Sequence, residues 1–163
     1  MGKFLKSGRI VIMLTGRYAG KKAVILKLFT EGTNTRRFSH ALVAGISRVP
    51  RKVTRGMSDN RIARRLRVKP FVKYVNLTHI LPTRYVLKKE LDVKSIITSF
   101  ESHSTMKKDN EVTTRDPLAN VDFKQNLRKE VKKVLETRFA TLDLNSEDPE
   151  SQFVRFFFKP LRF

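Results

Sequence analysis

The segment nearest to a catalytic motif lies at residues 16–21, where Gly16 and Gly20 bound a short loop that continues into Lys21. A phosphate-binding P-loop needs four residues between its glycines and a Ser or Thr directly after its Lys. This loop has three intervening residues, and Lys22 follows Lys21. The loop therefore does not predict a nucleotide-hydrolysing site.

Residues that commonly hold metals or transfer protons are few and scattered. His40, His79 and His103 lie far apart in a chain without cysteine, so metal-ligand spacing is absent. We interpret His40 and His79 as hydrogen-bonding residues of the fold. A metal-dependent nuclease needs carboxylates, and the first half of the chain has almost none. We predict no enzymatic activity, no cofactor and no metal site.

The charge is confined to the first half of the chain. Up to Lys89 there are 22 Lys and Arg against two acids, whereas residues 90–163 hold 13 basic and 13 acidic side chains. A compact segment with this imbalance repels itself unless a polyanion supplies counter-charge. Nucleic acid favours such binding because each neutralised phosphate releases condensed counterions. An acidic membrane surface is the weaker alternative, since it asks for an amphipathic basic helix or a lipid anchor.

Composition places the charge on a folded scaffold. The chain has 163 residues, of which 40% are hydrophobic, which is enough for one small domain with a core. The longest apolar run near the N-terminus, residues 10–14, is too short for a signal peptide or a membrane span. We expect a soluble intracellular protein.

The first 81 residues predict short strands. Apolar runs at residues 10–14 and 23–26 flank the glycine-bounded loop, which is typical of a β-hairpin. A third strand is predicted at residues 38–43, with Gly45 beyond it marking a bulge or a close backbone approach. Alternation from Phe71 to Leu81 predicts a returning strand that closes a small barrel, followed by an exit turn at residues 79–85.

Helical signals flank and follow the returning strand. Residues 50–69 are strongly basic, and Ser58 with Asp59 is typical of the start of a short helix whose arginines face outward. We predict that these arginines contact phosphates, and the alternative is that the helix is only exposed to solvent. Asp116 and Pro117 predict the start of a long helix with one apolar stripe. The last eleven residues hold five phenylalanines, which must be buried, either in the protein's own core or against a partner.

These patterns divide the chain into three parts. Residues 1–89 form a basic nucleic-acid-binding barrel with a helical insertion, residues 90–116 form a polar linker or insertion, and residues 117–163 form the C-terminal helix and Phe-rich tail. The fold class is mainly β with helices. Residues 94–114 bury little apolar surface, so we expect them to be dispensable for folding.

Specific segments resemble a known family. Residues 8–27 look like a KOW motif, the basic hairpin of SH3-like barrels. Further matching segments are MGKF at 1–4, GRY at 16–18, KAVI at 22–25, SHALVAGI at 39–46, PRKVT at 50–54, PTRY at 82–85, RDP at 115–117 and LRF at 161–163. Together they resemble the family of the eukaryotic large-subunit ribosomal protein numbered twenty-seven. Residues 94–114 look like an insertion relative to that family, and the long helix is less basic than is usual in it.

The resemblance implies a structural constituent of the large (60S) cytosolic ribosomal subunit with an SH3-like barrel. Its implied partners are large-subunit rRNA and neighbouring ribosomal proteins, without membrane contact or self-association, and its implied location is the cytoplasmic ribosome after nucleolar assembly. The alternative is a KOW-containing transcription or RNA-processing factor that binds RNA transiently.

Charge and resemblance together predict binding mainly to phosphates, because the basic half has no run of exposed aromatics suited to stacking bases. The candidate RNA-binding residues are Lys3, Lys6, Arg9, Arg17, Tyr18, Lys21, Lys22, Arg36, Arg37, His40, Arg48, Arg51, Lys52, Arg55, Arg61, Arg64, Arg65, Arg67, Lys69, Lys73 and Arg84.

Overall fold

The computed structural model describes residues 4–33, 35–87, 98, 117–142 and 149–161. Its sheet consists of β1 Arg9–Met13, β2 Lys22–Phe29, β3 His40–Arg48, β4 Lys69–Asn76 and β5 Ile80–Val86. The helices of this part of the chain are α1 Asp59–Leu66, α2 Val121–Ala140 and α3 Pro149–Phe158, with 3-10 turns at Leu77–His79 and Pro117–Ala119. The strands are antiparallel neighbours in the order β4-β3-β2-β1-β5.

The central strands β2 and β3 are buried on both faces of the sheet. Successive side chains of a strand point to opposite faces, so each of these strands contributes to two apolar clusters. We call them the helix-side core and the inner core. This double burial explains why both strands read as nearly continuous apolar runs in the sequence.

The helix-side core lies between the sheet and the two C-terminal helices. Leu26, Leu42 and Val72 from the sheet meet Leu127 from α2 and Phe157 from α3 in one buried cluster. The apolar stripe predicted for α2 is confirmed, and its buried members are Phe123, Leu127, Val131 and Leu135.

One prediction about the C-terminal segments needs correction, and one helix there was not predicted. The long helix begins at Val121 rather than at Pro117, because Asn120 accepts hydrogen bonds from the backbone N–H groups of Asp122 and Phe123 at 3.0 and 3.4 Å. The Phe-rich stretch contains a helix, α3, that its clustered aromatics did not predict. The expected burial of that stretch is confirmed, since Val154, Phe157 and Phe158 are buried in the helix-side core.

The inner core forms because the sheet curls. Side chains from the edge strand β4 share one buried cluster with side chains from β1 and β5 at the other end of the strand order. Its members are Val11, Met13, Ala23, Ile25, Ala41, Val43, Phe71, Val75 and Ile80.

Gly45 permits the close approach that its position in the sequence predicts. A Cβ at this residue would lie 2.5 Å from Cζ of Phe71 and 2.6 Å from the carbonyl oxygen of Lys22. The Phe71 ring therefore occupies the space above the β3 backbone, and Tyr18 stacks on its other side with ring centroids 4.0 Å apart. No bulge is needed, because Gly45 pairs in register with Ala23 and Phe71.

The edges of the sheet differ from the prediction. The returning strand β4 pairs with β3, but the described ladders do not join β4 to β5, so hydrogen bonds do not close a barrel. The predicted exit turn at residues 79–85 is wrong, because Ile80–Val86 forms β5, which pairs with β1. Pro82 suggested a turn, yet proline is tolerated on an edge strand, where one side of the backbone needs no partner.

The predicted linker lies largely outside the described residues, as do residues 88–97 and 99–116. The proposed dispensability of residues 94–114 and the division into three parts therefore stay predictions.

Candidate nucleic-acid interface

The β1–β2 loop is held rigidly at its base. The backbone N–H of Met13 donates to the carbonyl of Lys21 at 2.9 Å, and the N–H of Gly20 donates to the carbonyl of Met13 at 2.8 Å. Gly16 and Gly20 adopt φ values of +80° and +71°, which side chains with a Cβ disfavour. These glycines let a short loop reverse the chain while Arg17 and Lys21 stay exposed.

The neighbouring Lys22 has a different environment. Its side chain is 6% exposed, its Nζ donates to the carbonyls of Phe156 and of Lys159 (2.6 Å for the latter), and it lies 3.7 Å from the Phe156 ring centroid. Burial, together with the charge of Lys159, lowers the pKa of Lys22 from 10.5 to about 8. The residue that would ordinarily donate to the Phe156 carbonyl is Pro160, which has no N–H.

Lys22 therefore holds the C-terminal segment in place through hydrogen bonds to its backbone carbonyls. Its ammonium supplies a donor that the end of α3 lacks, and cations near a helix C-terminus are favourable. A phosphate would have to replace these contacts to reach the Lys22 ammonium, and the RNA contact of Lys22 stays a prediction.

A basic groove runs beside this anchor. It encloses about 610 Å³ and is lined by cations around the start of β2, around the end of β3 and just after α3, while Ile46 and Phe157 contribute apolar surface. We define the basic groove by its accessible cations, Lys21, Arg48, Arg51, Lys52 and Lys159, and the nearly buried Lys22 also lines it. No Asp or Glu is among the described residues that line it, so its field is uniformly positive.

Helix α1 extends this positive surface. Nη1 of Arg65 donates to the carbonyl of Lys52 at 2.8 Å, and the N–H of Arg51 donates to the carbonyl of Arg65 at 3.0 Å. These bonds join α1 to the wall of the basic groove. The helix has no buried residue, and Leu66 on its predicted apolar face is 40% exposed. The predicted helix start is confirmed, although the Ser58 side chain makes no capping hydrogen bond.

A second groove lies on the other flank of the β1–β2 loop. Thr15 and Gly16 line it, whereas Gly20 and Lys21 line the basic groove. We call it the aromatic groove, because Phe38 and Tyr74 line it together with Arg36, Lys73 and His79, and it encloses about 410 Å³. The loop therefore separates two cationic depressions.

His40 is buried, with 1% of its surface exposed, and does not belong to this surface. Its Nδ1 bonds to the carbonyl of Phe38 at 2.8 Å, and its ring stacks on Phe29 with centroids 4.7 Å apart. The interpretation of His40 as a hydrogen-bonding residue is confirmed. The ring is enclosed by other aromatics, and the RNA contact of His40 stays a prediction.

The remaining candidates divide by accessibility. Lys3 lies outside the described residues. Arg9 is half-buried, donating to the Thr83 carbonyl at 2.8 Å and lying 4.3 Å from the Phe4 ring. The other half-buried candidates are Tyr18, Arg36, Arg48 and Arg65. The exposed candidates are Lys6, Arg17, Lys21, Arg37, Arg51, Lys52, Arg55, Arg61, Arg64, Arg67, Lys69, Lys73 and Arg84.

Sequence reasoning missed two residues of these grooves. Lys159 lies among phenylalanines and was not among the candidate RNA-binding residues, yet it lines the basic groove. Phe38 was assigned to a strand, yet it precedes β3 and is 47% exposed. An aromatic residue beside Arg36 and Arg37 was the available signal, because interleaved aromatic and basic residues are typical of RNA-binding surfaces.

Two other kinds of site are absent from the part of the chain that the structure describes. None of its helices combines the length and apolarity required to cross a lipid bilayer. It also contains no group of three or more His, Asp or Glu residues that could hold a metal ion.

Comparison with known proteins gives a family for this architecture. The model of the Ribosomal L27e protein family matches residues 10–163. The large ribosomal subunit protein eL27 of Tetrahymena thermophila is 44% identical over 163 residues, which is the full length of both chains. The match thus covers the sheet, both grooves and the C-terminal helices, and the chain belongs to the Ribosomal L27e protein family.

Proposed function

We infer that this protein is a structural constituent of the large ribosomal subunit. Its family consists of ribosomal proteins, and the full-length relative carries the name of a large-subunit protein. Such a constituent has no enzymatic role and acts on the cytoplasmic ribosome. The alternative of a KOW-containing transcription or processing factor finds no support in these relatives.

We further propose that the protein binds large-subunit rRNA mainly through phosphates. The observation that carries this proposal is the continuous cation-rich surface formed by the basic groove, the β1–β2 loop and α1. Arg and Lys side chains without nearby acids are suited to neutralising phosphates and releasing counterions. Neighbouring ribosomal proteins are the expected partners at the remaining surface, with no self-association, and assembly is expected to begin in the nucleolus.

The proposed contact residues are the accessible candidates and not the buried ones. Within the basic groove and α1 they are Lys21, Arg48, Arg51, Lys52, Arg61, Arg64, Arg65 and Arg67, joined by Arg17 at the loop tip. Lys6, Arg9, Arg36, Arg37, Arg55, Lys69, Lys73, Arg84 and Tyr18 remain proposed contacts around it, as does Lys3. Lys22 and His40 stand outside this set because they are buried.

The finer fold is also a proposal. The edge strands β4 and β5 are joined only by the 3-10 turn Leu77–His79, and the inner core contains residues of both. A curled sheet with so short a connection supports an SH3-like, KOW-type barrel in which side chains rather than ladder hydrogen bonds meet at the seam.

Substitution at the loop tests the RNA proposal. We expect the double variant Arg17→Ser/Lys21→Ser to keep its fold and to enter large subunits poorly, because two exposed cations are lost. Co-sedimentation with large subunits after a high-salt wash measures incorporation. In binding assays with rRNA fragments, each lost phosphate contact should lower the slope of log affinity against log salt by about one.

The matched control is Lys129→Ser/Lys133→Ser, which removes the same charge from exposed positions of α2. It should leave incorporation nearly unchanged. Equal incorporation of both double variants and the parent protein would contradict the proposed interface, as would an rRNA affinity insensitive to salt.

A further inference from the structure

We propose that the aromatic groove holds one unpaired nucleotide, with its base stacked on Phe38 and its phosphate against Lys73 and Arg36. This proposal rests on the proposed rRNA binding and names the form of RNA that one part of the surface takes. It adds base stacking to an interface that is otherwise expected to contact the RNA backbone.

Phe38 is an exposed ring on a fixed backbone. It is 47% exposed and belongs to neither the helix-side core nor the inner core. The buried His40 ring lies edge-on to it, with centroids 5.8 Å apart, and His40 Nδ1 bonds to its carbonyl at 2.8 Å. A ring held in this way provides a stacking surface without a large loss of conformational entropy on binding.

The turn before Phe38 places the Arg36 side chain in the lining of the same groove. The N–H of Thr33 donates to the carbonyl of Arg36 at 2.7 Å, and the N–H of Arg36 donates back to the carbonyl of Thr33 at 2.9 Å. The Arg36 guanidinium lies 4.3 Å from the centroid of Tyr74. Backbone bonds and ring contact therefore hold this cation at the wall of the groove.

The rest of the lining is suited to a phosphate. Lys73 is exposed on the edge strand β4, and its Nζ approaches Gly16 of the opposite loop. His79 lines the same space, and no Asp or Glu does so among the described residues. An anionic ligand with a flat face fits these groups, whereas an acidic peptide would supply charge without a planar base for Phe38.

The shape of the groove favours an unpaired base over a duplex. A volume of about 410 Å³ lies within the usual range for small-molecule sites. Bases inside an A-form helix are stacked on each other and cannot reach a side-chain ring, whereas bases in bulges and loops can. The basic groove differs in this respect, because its lining aromatic, Phe157, is only 2% exposed.

A bulged RNA hairpin and its fully paired counterpart test the proposal on the full chain. At raised salt we expect the protein to bind the bulged hairpin at least about fivefold more tightly, from the usual contribution of one stacked base. Phe38→Leu should remove this preference and leave the affinity for the paired hairpin unchanged, and Phe38→Trp should restore it. Phe4→Leu, at an exposed ring outside the groove, should behave as the parent protein.

The possible failures are distinguishable. Salt-sensitive but equal binding of both hairpins by the parent protein overturns the stacking site and leaves the phosphate-binding proposal standing. Absence of binding to either hairpin contradicts the proposed function itself. An equal loss of affinity for both hairpins in Phe38→Leu overturns the site, as does tighter, Phe38-dependent binding of an acidic phenylalanine-containing peptide, which would assign the groove to a protein neighbour.

Discussion

The two faces of the sheet are buried by different means. The inner core is closed by the curl of five strands and by Phe71, which lies on the β3 backbone at Gly45 and is covered by Tyr18. The helix-side core is closed by the two C-terminal helices, with Lys22 bound to the end of α3. The inner core is therefore formed by residues between 5 and 80, whereas the helix-side core also needs the helices in the C-terminal third of the chain.

The two cores also differ in the kinds of side chain that they bury. The inner core uses apolar and aromatic residues, with glycine where two layers approach closely. The helix-side core tolerates one buried cation because carbonyls and an aromatic ring surround it. Adjacent lysines, 21 and 22, thus have opposite roles because strand geometry points them in opposite directions.

Truncation after Gln152 removes α3 side chains from the helix-side core, and we expect it to have the largest effect. Val154, Phe157 and Phe158 each contribute on the order of 1.5 to 3 kcal/mol of burial. Their joint loss approaches the whole stability of a small domain. Thermal unfolding followed by circular dichroism should lose its cooperative transition. A truncated protein with an unchanged melting temperature that failed to enter large subunits would instead identify the tail as an assembly anchor.

Gly45→Ala tests the inner core alone. The added methyl group would overlap the Phe71 ring and the Lys22 carbonyl, so we expect a loss of about 3 kcal/mol in urea unfolding, the upper range for overpacking. Gly56→Ala is the matched control, because a Cβ there meets no atom within 4 Å. Similar stabilities for the two variants would show that β3 and β4 separate without strain.

Lys22→Met tests the anchor of the other face. It keeps a long apolar side chain but removes the donor to the carbonyls of Phe156 and Lys159, so we expect a loss of about 2 kcal/mol in the free energy of unfolding. Lys21→Met should change stability by less than about 0.5 kcal/mol, as is usual at the surface, and should weaken RNA binding instead. A reversed pattern would contradict the assignment of the two lysines.

The pH dependence of the Lys22→Met stability loss is the smallest expected effect. The folded state releases the Lys22 proton near pH 8 and the unfolded chain near 10.5, so the unfolded state binds more protons between these values. The Lys22 contribution to stability therefore rises with pH in this window. Between pH 8 and pH 9 the difference in free energy of unfolding between the parent protein and Lys22→Met should grow by about 1 kcal/mol.

Lys21→Met should show no such growth. A Lys22→Met difference that shrinks above pH 8 would mean that the carbonyl and ring contacts hold the ammonium more strongly than burial opposes it.

Features that depend on local patterns could be predicted from the sequence alone. The segregation of charge, the glycine-bounded hairpin, the apolar stripe of α2 and the start of α1 follow from composition, periodicity and turn chemistry. Even the burial of the Phe-rich stretch could be expected, because so many exposed phenylalanines are unfavourable in water.

The accessibility of individual basic and aromatic residues, in contrast, depends on the tertiary structure. The Lys22 contact with Phe156 spans 134 residues, so alternation along β2 can place Lys22 on one face without showing which segment covers it. Likewise, β5 became a strand only through pairing with β1, and Phe38 is 47% exposed although its ring contacts His40. Accessibility depends on which distant segments come together, and that is a property of packing rather than of spacing along the chain.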